Sequence, residues 1–248
     1  MERFASFDGA PIAYRTIGAG RPALLLHGFL ADSELNWIQP GIAAKIAASG
    51  RQVILPDLRG HGASAAPAGA HDYPPDALAM DQEALVAHLG LGDYDLVGYS
   101  LGARTAMRMM VRGARPARAA LGGMGDSGIM NVAARKAFFA DLIRNGARAA
   151  RPEAGKYIQA TIAERGLSAE AMLNVLEQQV DTPRAALSGI GVPILVVSGA
   201  DDEDNGSAEA LAAALPRARA VRVPGNHLTA VGEPALAEAI LAFLDTPI

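Results

Sequence analysis

The sequence predicts an α/β fold, a mostly parallel sheet covered by helices on both faces, on three observations. Leu24-Leu25-Leu26 and Ile194-Leu195-Val196-Val197 are apolar at every position, as strands buried on both faces are. Short apolar runs alternate with longer stretches of helical period, the pattern of βαβ units. That alternation is broken once, between Gly125 and Arg184, where only helical period is found.

In chain order, the apolar runs predict strands over residues 12–16, 23–27, 52–56, 95–98, 117–122, 193–198 and 218–223. The residues ahead of them, through the turn signal Asp8-Gly9, predict an antiparallel lead-in hairpin. Helical period covers 42–48, 76–89, 101–111, 207–215 and 233–244. Within the break it covers 133–145, 153–164 and 169–179, with Gly146, Pro152, Gly166 and Pro183 as punctuation. The chain thus divides into a core, 1–124 and 185–248, and a helical cap insertion, 125–184. The cap is expected over the C-terminal edge of the sheet, where open α/β sheets carry their sites.

Composition narrows the chemistry. Across 248 residues, 22 basic and 26 acidic side chains leave a net charge of −4, which gives no basic face for nucleic acid. The absence of cysteine removes disulfides, thiolate metal sites and a cysteine nucleophile together. Met1-Glu2-Arg3-Phe4 does not open a signal peptide. No apolar run approaches the roughly 20 residues of a membrane span. The expectation is a soluble, cytoplasmic protein with no membrane or nucleic-acid partner, no metal and no cofactor.

Gly98-Tyr99-Ser100-Leu101-Gly102 lies between a predicted strand and a predicted helix. A serine there stands exposed on a sharp turn, with small residues on either side to let the turn close. The helix N-terminus beneath it favours negative charge. Ser100 is therefore the candidate nucleophile; the alternative is a turn serine that caps the helix. Acyl transfer also needs two N–H groups aimed at the developing oxyanion. Leu101 would supply one, and Phe29, in Leu26-His27-Gly28-Phe29 at the end of another strand, the other. His27 itself is expected to be structural.

Of five histidines, His88 falls on a helix and His71 in a loop rich in Pro, Gly and Ala, so both are expected at the surface. His227 follows the last strand and completes the chain order serine, acid, histidine of such sites; it is the candidate general base. The acid comes from Asp201-Asp202-Glu203-Asp204 after strand 193–198. The residues alone leave it open between Asp202 and Asp201, with Glu203 and Asp204 expected in solvent.

With these motifs assembled, the sequence resembles the α/β-hydrolase fold superfamily, and within it the esterase/lipase-like serine hydrolases. The resemblance rests on Leu26-His27-Gly28-Phe29, Asp57-Leu58-Arg59-Gly60-His61-Gly62-Ala63-Ser64, Gly98-Tyr99-Ser100-Leu101-Gly102 and Pro224-Gly225-Asn226-His227. It implies a sheet of about eight strands, with the helical insertion as a lid. It also implies a G-x-x-D spacing that selects Asp202, and a structural role for the Asp57 to Ser64 segment. Asn226 and Ala103 stand where many relatives have glycine. A serine at the elbow differs from the aspartate of haloalkane dehalogenases and epoxide hydrolases.

The resemblance implies hydrolysis of a small, apolar carboxylic ester through an acyl-enzyme. Tyr99, Met124, Phe138 and Phe139 would bind that substrate, with Met130, Tyr157 and Met172 as further apolar lining. A second reading is a lyase like the SHCHC synthase of menaquinone synthesis, which Gly98-Tyr99-Ser100-Leu101-Gly102-Ala103-Arg104 and Trp37 also resemble. There Arg104 would anchor an acidic substrate, unless it belongs to a solvated stripe with Arg108 and Arg112. No second cation follows strand 117–122. A third reading is a non-catalytic ligand-binding module on the same scaffold.

Overall fold

A computed structural model describes residues 1–246. Its eight strands are β1 (Glu2–Ala5), β2 (Pro11–Ile17), β3 (Arg21–Leu26), β4 (Arg51–Pro56), β5 (Asp95–Tyr99), β6 (Arg118–Gly122), β7 (Ile194–Gly199) and β8 (Ala218–Val223). They form one sheet in the order β1-β2-β4-β3-β5-β6-β7-β8. β1 pairs antiparallel with β2, and β2 with β4; every other pairing is parallel. The lead-in hairpin and the mostly parallel eight-stranded sheet are both as the sequence predicts.

The two faces explain why the inner strands are apolar at every position. Ala23, Leu25, Val53, Leu55, Val97, Leu195 and Val197 point to one side. There α1 (Ile42–Ala48) and α10 (Pro234–Leu244) cover them through Ile42, Ile46, Leu236 and Ile240. Leu24, Leu26, Ile54, Leu96, Leu121 and Val196 point to the other. They meet α2 (Ala77–His88), α3 (Leu101–Arg112) and α9 (Ala208–Ala213). Successive strand residues alternate faces, so a sheet packed on both sides needs apolar residues throughout.

Between β6 and β7 run α4 (Asp126–Met130), α5 (Ala133–Asn145), α6 (Pro152–Glu164), α7 (Ala169–Glu177) and α8 (Arg184–Leu187). Ile143, Ile158, Met172 and Val175 from these helices join the same apolar cluster as Leu24 and Met107, so the insertion shares its core with the sheet. It reaches the loops at the strands' C-terminal ends. Phe139 packs against Phe29 after β3, Arg165 pairs with Asp32, and Arg135 meets Asp204 after β7. The short helices α4 and α8 and a π-helical turn at Glu34–Ile38 lie outside the sequence reading; none is long enough to show a period. α9 starts one residue later than its period predicts because Ser207 is its cap, its hydroxyl accepting from the Ala210 N–H at 3.1 Å, and it ends at Ala213, ahead of the predicted 215. No helix among the described residues is long and apolar enough to cross a membrane.

Parallel register brings the strand ends level: Leu26 lies beside Gly98, Tyr99 beside Gly122, and Gly199 beside Val223. α3 packs so closely over β3 that a Cβ on Gly102 would collide with the Leu26 carbonyl. Gly102→Ala is therefore expected to destabilise the fold by about 1–3 kcal/mol, the cost of overpacking against rigid backbone. Urea unfolding of the two proteins checks it; equal midpoints would contradict the contact.

Candidate active site

The chain leaves β5 at Tyr99 and enters α3 at Leu101, and Ser100 makes the whole turn. Its backbone has φ 53° and ψ −110°, a conformation costly for a residue with a side chain. The Ser100 N–H donates to the Gly122 carbonyl at 2.8 Å. A Cβ on Gly98 would collide with the Gly102 backbone, so both small residues are needed for the turn to close. The Ser100 side chain does not cap α3. Its Oγ lies 2.9 Å from His227 Nε2 instead.

His227 Nδ1 lies 3.0 Å from Asp202 Oδ2. The carboxylate can only accept, so it holds the proton on Nδ1 and leaves Nε2 free to accept from the serine hydroxyl. Burial alone would raise the Asp202 pKa. The hydrogen bond and charge of His227, with the Asp204 N–H and the Ser198 hydroxyl, outweigh it and hold the carboxyl below its usual value. Asp201 is exposed, and its N–H donates to the Gly225 carbonyl. Of the two acids left open by the residues alone, Asp202 is the one that reaches the imidazole.

Three ties fix the His227 loop. Gly225 takes φ 94°. Asn226 Oδ1 accepts from the Leu228 and Thr229 N–H groups, both at 3.0 Å, so the departure from glycine at 226 closes the turn through its side chain. Tyr99 Oη donates to the His227 carbonyl at 2.7 Å. Tyr99 was expected to bind substrate. It is buried, its hydroxyl is taken up by that carbonyl, and burial with the charges of Asp202 and Asp204 pushes its pKa up; it is a strut beneath the histidine. Asn205, which belongs to no recognisable motif, is also buried here. Its Nδ2 donates to the Gly123 carbonyl at 2.9 Å and stands 3.5 Å from His227 Nδ1.

Opposite lies the loop after β3. A Cβ on Gly28 would fall 3.6 Å from the Ser100 Cβ. The Gly28 N–H is taken by Asn36 Oδ1 at 2.8 Å. The N–H groups of Phe29 and Leu101 meet no acceptor among the described residues. Two buried histidines hold this loop to the one after β4. His27 Nε2 accepts from the Leu58 N–H at 2.8 Å, and its Nδ1 donates to the Gly28 carbonyl at 2.8 Å. His61 Nε2 accepts from the Leu30 N–H at 3.2 Å, and its Nδ1 donates to the Arg59 carbonyl at 3.1 Å. Each ring needs one bare nitrogen, so both must be neutral. His71 and His88 are exposed, as expected.

The expected apolar lining is corrected in part. Met124 and Met172 are buried in the main core, and Tyr157 is exposed on α6. Phe139 stands edge-on to Phe29, ring centroids 5.3 Å apart, and Phe138 stands edge-on to Phe139 at 5.3 Å. These two, from α5, form the roof over the β3 loop. The arginine stripe on α3 is not uniformly solvated. Arg108 grips Asp76 at 2.7 and 2.8 Å and Arg112 pairs with Glu83 at 2.8 Å, but Arg104 is buried. Among the described residues, Asp202, Asp204 and His227 alone could gather around a metal ion, and an ion there would compete with the Asp202–His227 bond.

Burial, and then the charge of His27, depress the His61 pKa from 6.5 to about 3; burial also lowers that of His27. Between those values the unfolded chain binds a proton that the folded chain refuses. For His61, stability present above pH 6.5 is therefore lost as pH falls toward 3, at about 1.4 kcal/mol per pH unit, and His27 acts in the same direction. Denaturant unfolding between pH 7 and 4.5 should follow this slope. His61→Gln, with one ring fewer, should show a shallower one; parallel slopes would contradict it.

Residues 22–120 match a family model described as alpha/beta hydrolase fold. A non-heme haloperoxidase of Rhodococcus erythropolis is 39% identical over 105 residues, which are 42% of this chain and 36% of that protein. The aligned part thus spans about a third of this curated relative. Solved structures match over nearly the whole chain. A hydrolase from Pseudomonas aeruginosa has TM-score 0.77 and 25% identity, covering 99% of this chain and 98% of its own. A thermophilic esterase from Thermogutta terrifontis has TM-score 0.73 and 27% identity, covering 98% of this chain and 97% of its own.

Proposed function

The chain belongs to the α/β-hydrolase fold superfamily, and from that premise we propose that it is a serine hydrolase cleaving small carboxylic esters through an acyl-enzyme. The observation that carries this reading is the unbroken hydrogen-bonded chain Asp202–His227–Ser100, with links of 3.0 and 2.9 Å. His227 Nε2 takes the hydroxyl proton as Ser100 Oγ attacks the ester carbonyl. Asp202 keeps the imidazole in the required tautomer and stabilises the imidazolium that forms. The free N–H groups of Leu101 and Phe29 receive the oxyanion, helped by the N-terminal end of α3. Collapse expels the alcohol, which takes its proton from His227. Water then follows the same route through His227 to release the acid.

The structural similarity to the Thermogutta terrifontis esterase, at 27% identity, supports the carbonyl chemistry. The serine at 100 supports an acyl intermediate over an alkyl one. Phe138 and Phe139 above Phe29 support a small substrate with an apolar portion.

Turnover of 4-nitrophenyl acetate and butyrate tests the reading. Ser100→Ala is expected to lower kcat/KM by roughly 10⁴-fold or more, and Asp202→Asn by roughly 10³-fold or more. Asp201→Asn, at an exposed position, should stay within about twofold of wild type. Ester turnover that survives Ser100→Ala would contradict the proposal, and a folded wild type inert to both esters would favour the binding-module reading.

A further inference from the structure

In the loop after β3, the consecutive N–H groups of Gly28, Phe29 and Leu30 end differently. The Gly28 N–H donates to Asn36 Oδ1 at 2.8 Å, and the Leu30 N–H donates to His61 Nε2 at 3.2 Å. The Phe29 N–H between them meets no acceptor among the described residues. Its direction follows from the peptide unit it belongs to. The carbonyl and the N–H of a trans peptide point opposite ways. The Gly28 carbonyl accepts from His27 Nδ1 at 2.8 Å and from the Ala31 N–H at 3.3 Å. Side chains thus tie down the donors on either side of Phe29 and leave its own N–H over.

Asn36 lies outside every motif read in the sequence. It stands eight positions beyond Gly28, on the π-helical turn Glu34–Ile38, a geometry that recurs at functional sites. Its N–H donates to the Asp32 carbonyl at 3.1 Å. Ser33 donates through both its N–H and its hydroxyl to Asp57 Oδ1, at 3.0 and 2.6 Å, which pins the turn to the loop after β4. The Asn36 side chain is buried. A Cβ on Gly28 would fall 3.4 Å from Asn36 Oδ1 and 3.6 Å from the Ser100 Cβ, so one glycine adjoins both the amide and the candidate nucleophile. The Gly28 N–H can only donate, which turns the amide oxygen toward it. Asn36 Nδ2 is then sealed from solvent with no partner among the described residues. A buried donor left unpaired is costly, and an apolar side chain of the same size would avoid that cost. Its presence argues that the acceptor beside it is needed.

We propose that Asn36 is a positioning residue for the oxyanion-binding loop. This rests on the reading of Ser100 as nucleophile and of the Phe29 N–H as an oxyanion donor. Asn36 fixes the peptide plane before Gly28, and His27 fixes the plane after it. Gly28 has no side chain of its own, so without both clamps the two planes rotate freely against each other. With the Asn36 acceptor gone, the Gly28 N–H is buried beside Ser100 without a partner. Rotation about Gly28 relieves that cost, and it either turns the Phe29 N–H away or sets the Gly28 N–H in competition for the oxyanion. Asn36 touches no reacting atom. It acts through the Phe29 N–H on the charge that develops in the transition state, so its loss falls on kcat and not on KM.

Asn36→Leu removes the acceptor and the unpaired Nδ2 at nearly constant volume. With 4-nitrophenyl butyrate its kcat should fall by roughly 10- to 100-fold, with KM within about twofold of wild type. A trifluoromethyl ketone with the same acyl chain reports the oxyanion site directly. Ser100 Oγ adds to its carbonyl carbon, the hydroxyl proton passes to His227, and the carbonyl oxygen becomes the oxyanion. Affinity for this ketone should weaken by about the same factor as kcat. An asparagine with a purely structural role would instead lower the melting temperature and leave kcat of the folded protein unchanged. Unchanged kcat in folded Asn36→Leu overturns the positioning role and leaves ester hydrolysis at Ser100 intact; a wild type that turns over no ester overturns both. If Asn36→Leu does not fold, a crystal structure of the wild type with the ketone bound decides. An adduct oxygen on the Phe29 N–H, with the Gly28 N–H still on Asn36 Oδ1, supports the role. An oxygen bonded to the Gly28 N–H, or a Gly28 N–H released from Asn36, overturns it.

Discussion

The strand-to-helix turn at Ser100 is the constraint on which the rest of the site depends. A positive φ on a residue with a side chain persists only where its surroundings over-determine it. Here they do so from three sides: Gly98 and Gly102 close to backbone contact, the Gly122 carbonyl takes the Ser100 N–H, and α3 presses against β3. The turn lifts the hydroxyl off the sheet edge and points the first N–H groups of α3 at the same space. Parallel register then makes the ends of β3, β7 and β8 neighbours of that point, so residues from four distant segments need only short loops to reach it.

The electrostatics follow from burial. Asp202 is taken out of water and stays ionised because His227, Ser198 and the Asp204 N–H all favour its charged form. On the proposed reading, that charge is what stabilises an imidazolium when the serine proton moves. The two histidines on the far side show the opposite arrangement. His27 and His61 are held neutral, each donating through one nitrogen and accepting through the other, and they fix the loop that carries the Phe29 N–H. On the proposed reading one histidine carries proton traffic while the other two are uncharged brackets, and their partners decide which is which.

Much of this was legible in the sequence, and the gaps have physical causes. Ser100 and His227 stand in local patterns, a glycine-flanked turn and the end of a strand, which short-range chemistry dictates. Asp202 and Asp201 differ only in how a turn orients them; the Asp202 N–H bonded to the Gly199 carbonyl turns one carboxylate inward and leaves the other in solvent. Tyr99 and Met124 look like pocket residues because they adjoin the turn, yet which side of the sheet covers them is a tertiary matter. Arg104 falls on a helical stripe whose spacing marks a face but not its neighbour, and residues 178–181, far along the chain, bury it. Arg135 and Asp204 are 69 residues apart, and no local pattern joins them.

On the proposed reading Ser100 is an activated nucleophile facing two oxyanion donors, and a crystal structure of the protein after reaction with a fluorophosphonate tests this. One covalent adduct is expected, on Ser100 Oγ, with the phosphonyl oxygen within hydrogen-bonding distance of both the Phe29 and Leu101 N–H groups. An unreacted Ser100, or an adduct whose oxygen points away from both, would contradict it.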